Sequence, residues 1–297
     1  MPDLSAIPNI ALKDARIALR DRFLLAATLA LVAAALISLI TGTVAMRTDV
    51  ATYMAAKQQL LALGKSLGLI AAPEFYPLKL MRGTIEQIEI MGAVIALIAG
   101  YRAAVEERGR QTLALILTRP LSNWQFLTAK LLGGAGLMGA ALACVFALCA
   151  VVLALGSGIG IGVNDLLRLA ITWGASTLYL SAIFAVGFGL SLWLKSPASG
   201  LLYAFALWLL VVLVAPQIGD TMDPDNQVAG GVFAQLSIPK AEQNRIKQGF
   251  ATYETIRNGI EVSSVTKHYE RFTFAVLGIK DIYTGKALGL IWADKKG

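Results

Sequence analysis

Four uncharged apolar runs of membrane-crossing length punctuate the chain, at 23–46, 131–163, 169–194 and 196–219. Spanning a hydrocarbon core of ~30 Å takes roughly 20 helical residues. An ionised residue at a helix centre costs about 2.5–3.5 kcal/mol on insertion, so runs this clean predict membrane helices. A shorter run, 90–101, reaches that length only by taking in 85–89, and with it Glu86 and Glu89. The pattern therefore predicts an all-α membrane protein with five transmembrane helices seen of an expected six. Five spans put the two termini on opposite sides, and the chain stops at Asp294-Lys-Lys-Gly297, so the sixth is expected after Gly297.

Between the runs the polar positions set the organisation. In the tail, residues 1–22, Leu12, Ala15 and Leu19 share a helical face with Phe23, while Lys13, Arg16 and Arg20 share a neighbouring one. That arrangement suits a helix lying in the membrane interface and feeding the first span, or a solvated helical tail. A cleaved signal peptide is excluded by the length of the first run and the lack of a small-x-small cleavage site. Short loops vote on sidedness: the tail, the 102–130 loop and Lys195 are basic, whereas the short segment 156–168 contributes only Arg168. The N-terminus and the 102–130 loop are therefore expected in the cytoplasm, with 47–84 and 220–297 outside. Within the latter, Asp220–Asn226 is turn-rich, and a helix is predicted from Ser237 with the stripe Ile246, Phe250, Tyr253, Ile256 and Ile260. Residues 272–292 are apolar in patches, but Lys280, Asp281 and Lys286 make them a poor span.

Composition narrows the function. At 57% apolar and 15% charged, the 297-residue chain is too apolar for a soluble domain, and its net charge of +7 is accounted for by Lys and Arg beside the spans. Cys144 and Cys149, five apart in the third run, point to different faces and read as small apolar fillers. A phosphate-cradling loop would need glycine where Gln59 precedes Gly64-Lys65-Ser66, and the Gly156–Gly162 run lacks dinucleotide spacing. The single histidine, His268, stands with Lys267 and Glu270 and reads as a surface residue. No span brings an acid to a histidine, so an intramembrane enzyme is the weakest reading, and the chain is expected to bind no cofactor. Glu86 and Glu89 are candidate substrate or ion contacts. Arg82, four residues before Glu86, makes an interfacial ion pair the plainer expectation.

The richest stretch is YRAAVEERGRQTLALILTRPLSNWQFLTAKLLGG, from Tyr101 to Gly134. Its 102–130 core carries Arg102, Arg108, Arg110, Arg119, Lys130, Glu106 and Glu107. Residues 105–118 are predicted to form a short helix, Thr118-Arg-Pro-Leu-Ser122 to break it, and Ser122 or Asn123 to cap the next. Glu106/Glu107, Thr112-Leu113, Ile116-Leu117, Pro120-Leu121-Ser122 and Lys130 resemble the signature that follows the second span in ABC-2 type permeases, especially the copper-enzyme-maturation (Nos-type) group. Gln111 stands where that signature usually has glycine, and Asn123 where it has arginine. The resemblance implies the membrane subunit of a bacterial inner-membrane exporter. Its partners would be a cytoplasmic ABC ATPase subunit, which holds ATP and Mg, and a second permease copy or sister permease. Glu106, Glu107, Arg108, Arg110, Thr112, Leu113, Pro120, Leu121 and Ser122 would form the coupling segment seated on that ATPase. The alternative is a non-transporting membrane scaffold that recruits partners through its external segment.

Overall fold

A computed structural model describes residues 20–63, 76–109, 123–156, 161–222, 232–236, 238–253, 264–279 and 286–296, with isolated positions near 8–16 and 255–259. The predicted interfacial helix at the N-terminus lies largely outside these residues. All regular structure among them is helical, and five helices are long and apolar enough to cross a membrane. These are α1 (Arg22–Ala62), α2 (Pro77–Gly109), α3 (Asn123–Gly156), α4 (Val163–Trp193) and α5, which begins at Pro197. The shorter helices α6 (Val232–Gln235), α7 (Lys240–Gly249), α8 (Val265–Leu277) and α9 (Leu288–Lys296) follow.

Helix ends depart from the apolar runs, each for a local reason. Asp21 caps α1 by accepting the Phe23 amide at 2.9 Å. From there α1 continues to Ala62, so the beginning of the 47–84 segment is helical. The second span starts earlier and ends later than its apolar stretch. It opens with a 3₁₀ turn led by Pro77, whose missing amide costs nothing at a first-turn position. A π-helical stretch, Ile88–Gly92, interrupts it. Helix α4 is capped at Gly162, whose amide donates to the Asp165 carboxylate at 3.0 Å. A second π-helical stretch, Leu209–Val214, sits inside α5 before Ala215–Met222.

Close packing is concentrated where glycine faces backbone. A Cβ on Gly100 of α2 would lie 2.3 Å from the Phe184 carbonyl oxygen, and one on Gly187 of α4 would lie 2.4 Å from that of Leu97. Without a hydrophobic force between helices in lipid, such small-residue contacts do most of the joining. Helix α3 adds a directed bond, Trp173 Nε1 donating to the Gly139 carbonyl at 2.9 Å. Helix α1 buries Leu24, Leu31, Ala35, Leu39 and Thr43 and leaves Leu25, Leu29, Ile37 and Ile40 exposed. A helix apolar on every face suits a membrane span.

Part of the segment expected outside returns to the bundle. Helix α8 packs along α4, with Tyr269, Phe274 and Leu277 buried. The Tyr269 ring stacks on Tyr179 at 4.5 Å and 10°, and its hydroxyl lies 2.8 Å from Ser176 Oγ. Ser264 caps α8 and donates to the Val211 carbonyl at 2.9 Å. That carbonyl lies in the π-helical part of α5, where the normal backbone ladder is displaced. At its other end α8 stops on Gly278 with φ 66°, a left-handed conformation that favours glycine. There Arg168 of α4 donates to the Val276 carbonyl at 2.6 Å and also to the Lys286 carbonyl.

Gly100→Ala and Gly187→Ala should each lower the thermal unfolding temperature of the purified chain, through overpacking of about 1–3 kcal/mol. Gly174→Ala, with nothing near its Cβ, should not. Differential scanning fluorimetry in one detergent compares all three.

Candidate functional site: the α2–α3 end

Three consecutive residues close the second span, and the 100° helical step sends each to a different neighbour. Glu106 borders a cavity against α1, Glu107 turns to α3, and Arg108 turns to α4. All belong to continuous helix up to Gly109, so the first part of the 102–130 loop is the end of a rod.

Arg108 performs the most unusual task. Its guanidinium donates to the carbonyls of Lys195 at 3.0 Å, Leu194 at 2.6 Å and Leu192. These carbonyls lie at and just beyond the end of α4, where the helix has run out of its own donors. The positive charge also opposes the negative end of the helix dipole. A planar fork with five N–H groups reaches several acceptors at once, which an ammonium cannot do in the same geometry.

Glu107 and Lys130 form a buried ion pair, Oε1 to Nζ at 2.5 Å, each side chain 5% exposed. Lys130 also lies 5.8 Å from the Phe126 ring centroid. A third pair, Arg102 to Asp21 at 2.6 Å, ties α2 to the start of α1, and Arg102 stacks over Phe23 at 5.2 Å. The one-residue-per-neighbour arrangement thus fixes α1, α3 and α4 to the same short stretch of α2. Trp124 and Trp193, both largely exposed at this end, mark the depth where aromatic side chains favour a membrane–water interface.

Of the residues expected to form a coupling segment, Glu106, Glu107 and Arg108 are brought together here. Glu107 and Arg108 are engaged inside the chain, and what they contribute at this point is rigidity. Arg110, Thr112, Leu113, Pro120, Leu121 and Ser122 lie outside the described residues. At the opposite end, Arg82 Nε bonds Glu86 Oε1 at 2.9 Å on an exposed surface. Glu89 sits in the π-helical stretch, within electrostatic reach of Glu270, Lys267 and Glu86, and its carboxylate has no hydrogen bond or ion pair among the described residues. Lys267 and Glu270 pair at 3.1 Å beside exposed His268. Just outside the spans, burial pushes the Tyr76 hydroxyl up to about 12. It donates to Asp165 at 3.2 Å.

Sequence reading missed Asp21 and Arg168 as anchors. A charge two residues outside an apolar run, or five residues inside a helix, looks like a loop charge until its partner across the bundle is seen. Among the described residues no group of three His, Cys, Asp or Glu side chains could hold a metal ion.

Against known families, residues 8–287 match the ABC-2 family transporter protein. The chain belongs to the ABC-2 transporter family. No curated protein matches it. Members of the family are non-catalytic membrane subunits that generally pair with an ATPase subunit. For this ABC-2 permease, the match covers all five spans and reaches past α8.

The buried pair sets a test. Lys130→Met leaves the Glu107 carboxylate without its partner and should cost about 3–5 kcal/mol of stability. Glu107→Gln/Lys130→Met should recover most of that loss, read by thermal unfolding of both variants. A double variant no more stable than Lys130→Met would contradict the reading that the loss comes from a buried carboxylate left unpaired.

Proposed function

We propose that this ABC-2 permease couples ATP hydrolysis by a separate cytoplasmic subunit to substrate export across a bacterial inner membrane. It acts as a dimer with a second copy or a sister permease. The ATPase binds ATP and Mg²⁺, and the segment from Glu106 to Ser122 sits on it. The observation that carries this reading is the convergence of Asp21–Arg102, Glu107–Lys130 and the Arg108 fork on the base of that segment. Nucleotide-driven motion can be transmitted only through a joint that does not bend. A loop whose stem is fixed to three other spans meets that demand.

Charge supports the sidedness. Arg102, Arg108, Lys130 and Lys195 gather at this end, together with Arg20 and Arg22. Short basic loops are retained in the cytoplasm, where ATP is available. Thr112-Leu113 and Pro120-Leu121-Ser122 match the coupling signature of the copper-enzyme-maturation group, which favours that branch of the family. Glu89 is the candidate substrate contact: an intramembrane carboxylate without a pairing partner among the described residues is a functional suspect.

Replacing residues 110–122 by a Gly/Ser linker of equal length should weaken co-purification with the ATPase and permease-stimulated ATP hydrolysis, while leaving membrane insertion intact. A coupling free energy of about 1–3 kcal/mol corresponds to a fall of roughly 5–150-fold. Stimulated hydrolysis at the unmodified rate would contradict the proposal.

A further inference from the structure

Helix α1 is joined to the bundle unevenly. At its middle, Thr84 Oγ1 donates to the Ala35 carbonyl at 3.3 Å, and toward its far end Arg47 Nε donates to the Gly156 carbonyl of α3 at 3.0 Å. At the α2–α3 end the link is a side-chain bridge, Asp21 to Arg102. Beside that bridge lies a cavity of about 510 Å³ bordered by Asp21, Arg102, Glu106, Lys130, Gly133 and Gly134. Deeper along α1 is a second chamber of about 230 Å³, walled by Leu25, Leu31, Ile95, Leu142 and Leu180. Leu24 and Leu137 line both, so one groove runs from a charged mouth into an apolar interior.

We propose that this groove is a binding site for a phospholipid with a zwitterionic headgroup, its head at Arg102 and an acyl chain in the apolar chamber. The two volumes fall in the range typical of small-molecule sites, roughly 300–1,000 Å³ together. The mouth carries the acids Asp21 and Glu106 and the base Arg102; Lys130 also borders it but is paired with buried Glu107. A mouth with an acid in excess offers a purely anionic head no net attraction, whereas a head that carries both a phosphate and an ammonium finds a partner for each. The Arg102 side chain is 43% exposed, and its fork retains donors beyond those facing Asp21. Planar guanidinium groups bind phosphate oxygens in pairs. The ammonium then meets Asp21 or Glu106. Lipid tails are as apolar as the groove, so the head contacts and the shape of the chamber decide occupancy. The site rests on the permease reading only for which leaflet supplies the lipid; binding itself needs no ATPase.

The test uses the full chain in nanodiscs of equal phosphatidylethanolamine and phosphatidylglycerol, released into mild detergent and weighed by native mass spectrometry. The wild-type chain should retain one phosphatidylethanolamine with about tenfold preference, equivalent to about 1.4 kcal/mol. Arg102→Gln removes the phosphate contact, and Leu137→Trp fills the junction between chambers without touching a charge. Each should reduce retention about tenfold. Thermal unfolding of the two variants identifies any that fails to fold, and Leu137→Trp carries the test if Arg102→Gln does. Equal retention of both lipids, preference for phosphatidylglycerol, or retention unchanged in folded Leu137→Trp would each overturn the proposal.

Discussion

Helix α4 ends in carbonyls that no further helical turn can satisfy, close to where hydrocarbon gives way to water. Left open there, each costs on the order of a lost hydrogen bond or more. Arg108, from a different helix, answers them. Because its guanidinium belongs to α2, satisfying α4 also fixes α2 in place. The glycines at Gly100 and Gly187 let the two backbones so joined lie in direct contact. At its other end α4 repeats the device with an arginine of its own, Arg168, which holds the carbonyls of Val276 and Lys286. One rod therefore carries an arginine–carbonyl joint at each end, one at the end of α2 and one holding the returning helix α8.

Such joints constrain how the molecule can move. Releasing the part-buried Leu192 and Leu194 carbonyls requires another donor, or water, in exchange. Motion imposed at the α2–α3 end is then carried by α2 and α4 as a unit, and bending between them is costly. The π-helical stretches at Ile88–Gly92 and Leu209–Val214 are the places in α2 and α5 where the ladder is already displaced. Both face α8: Tyr179 donates to the Glu89 carbonyl at 3.1 Å beside Thr266, and Ser264 donates to Val211. Irregular backbone and polar side chains meet there because each supplies what the other lacks.

Much of the architecture was legible in the sequence because hydrocarbon imposes length and apolarity on every span. The five helices appear where uncharged runs predicted them. Their ends were not legible, since a search for apolar runs halts at the first charge. Arg102, Lys130 and Arg168 all lie inside helices, neutralised by Asp21, by Glu107 and by backbone carbonyls. Those partners are distant in sequence, so no local pattern announces them. The return of α8 was hidden for a related reason. Tyr269, Thr266 and Thr273 look like surface positions until Ser176 and Tyr179 are placed against them. Of the candidate site, the charged cluster 106–108 was legible as important, but its inward engagement was not.

The proposed coupling role of residues 106–122 carries one requirement: that segment must face the compartment that holds ATP. In a background with Cys144 and Cys149 replaced by alanine, a single cysteine at Arg110 or Ser122 can be labelled with a membrane-impermeant maleimide. Labelling in inverted vesicles but not in intact cells is the predicted result. Labelling in intact cells would put the segment beyond the reach of any cytoplasmic ATPase and contradict the account.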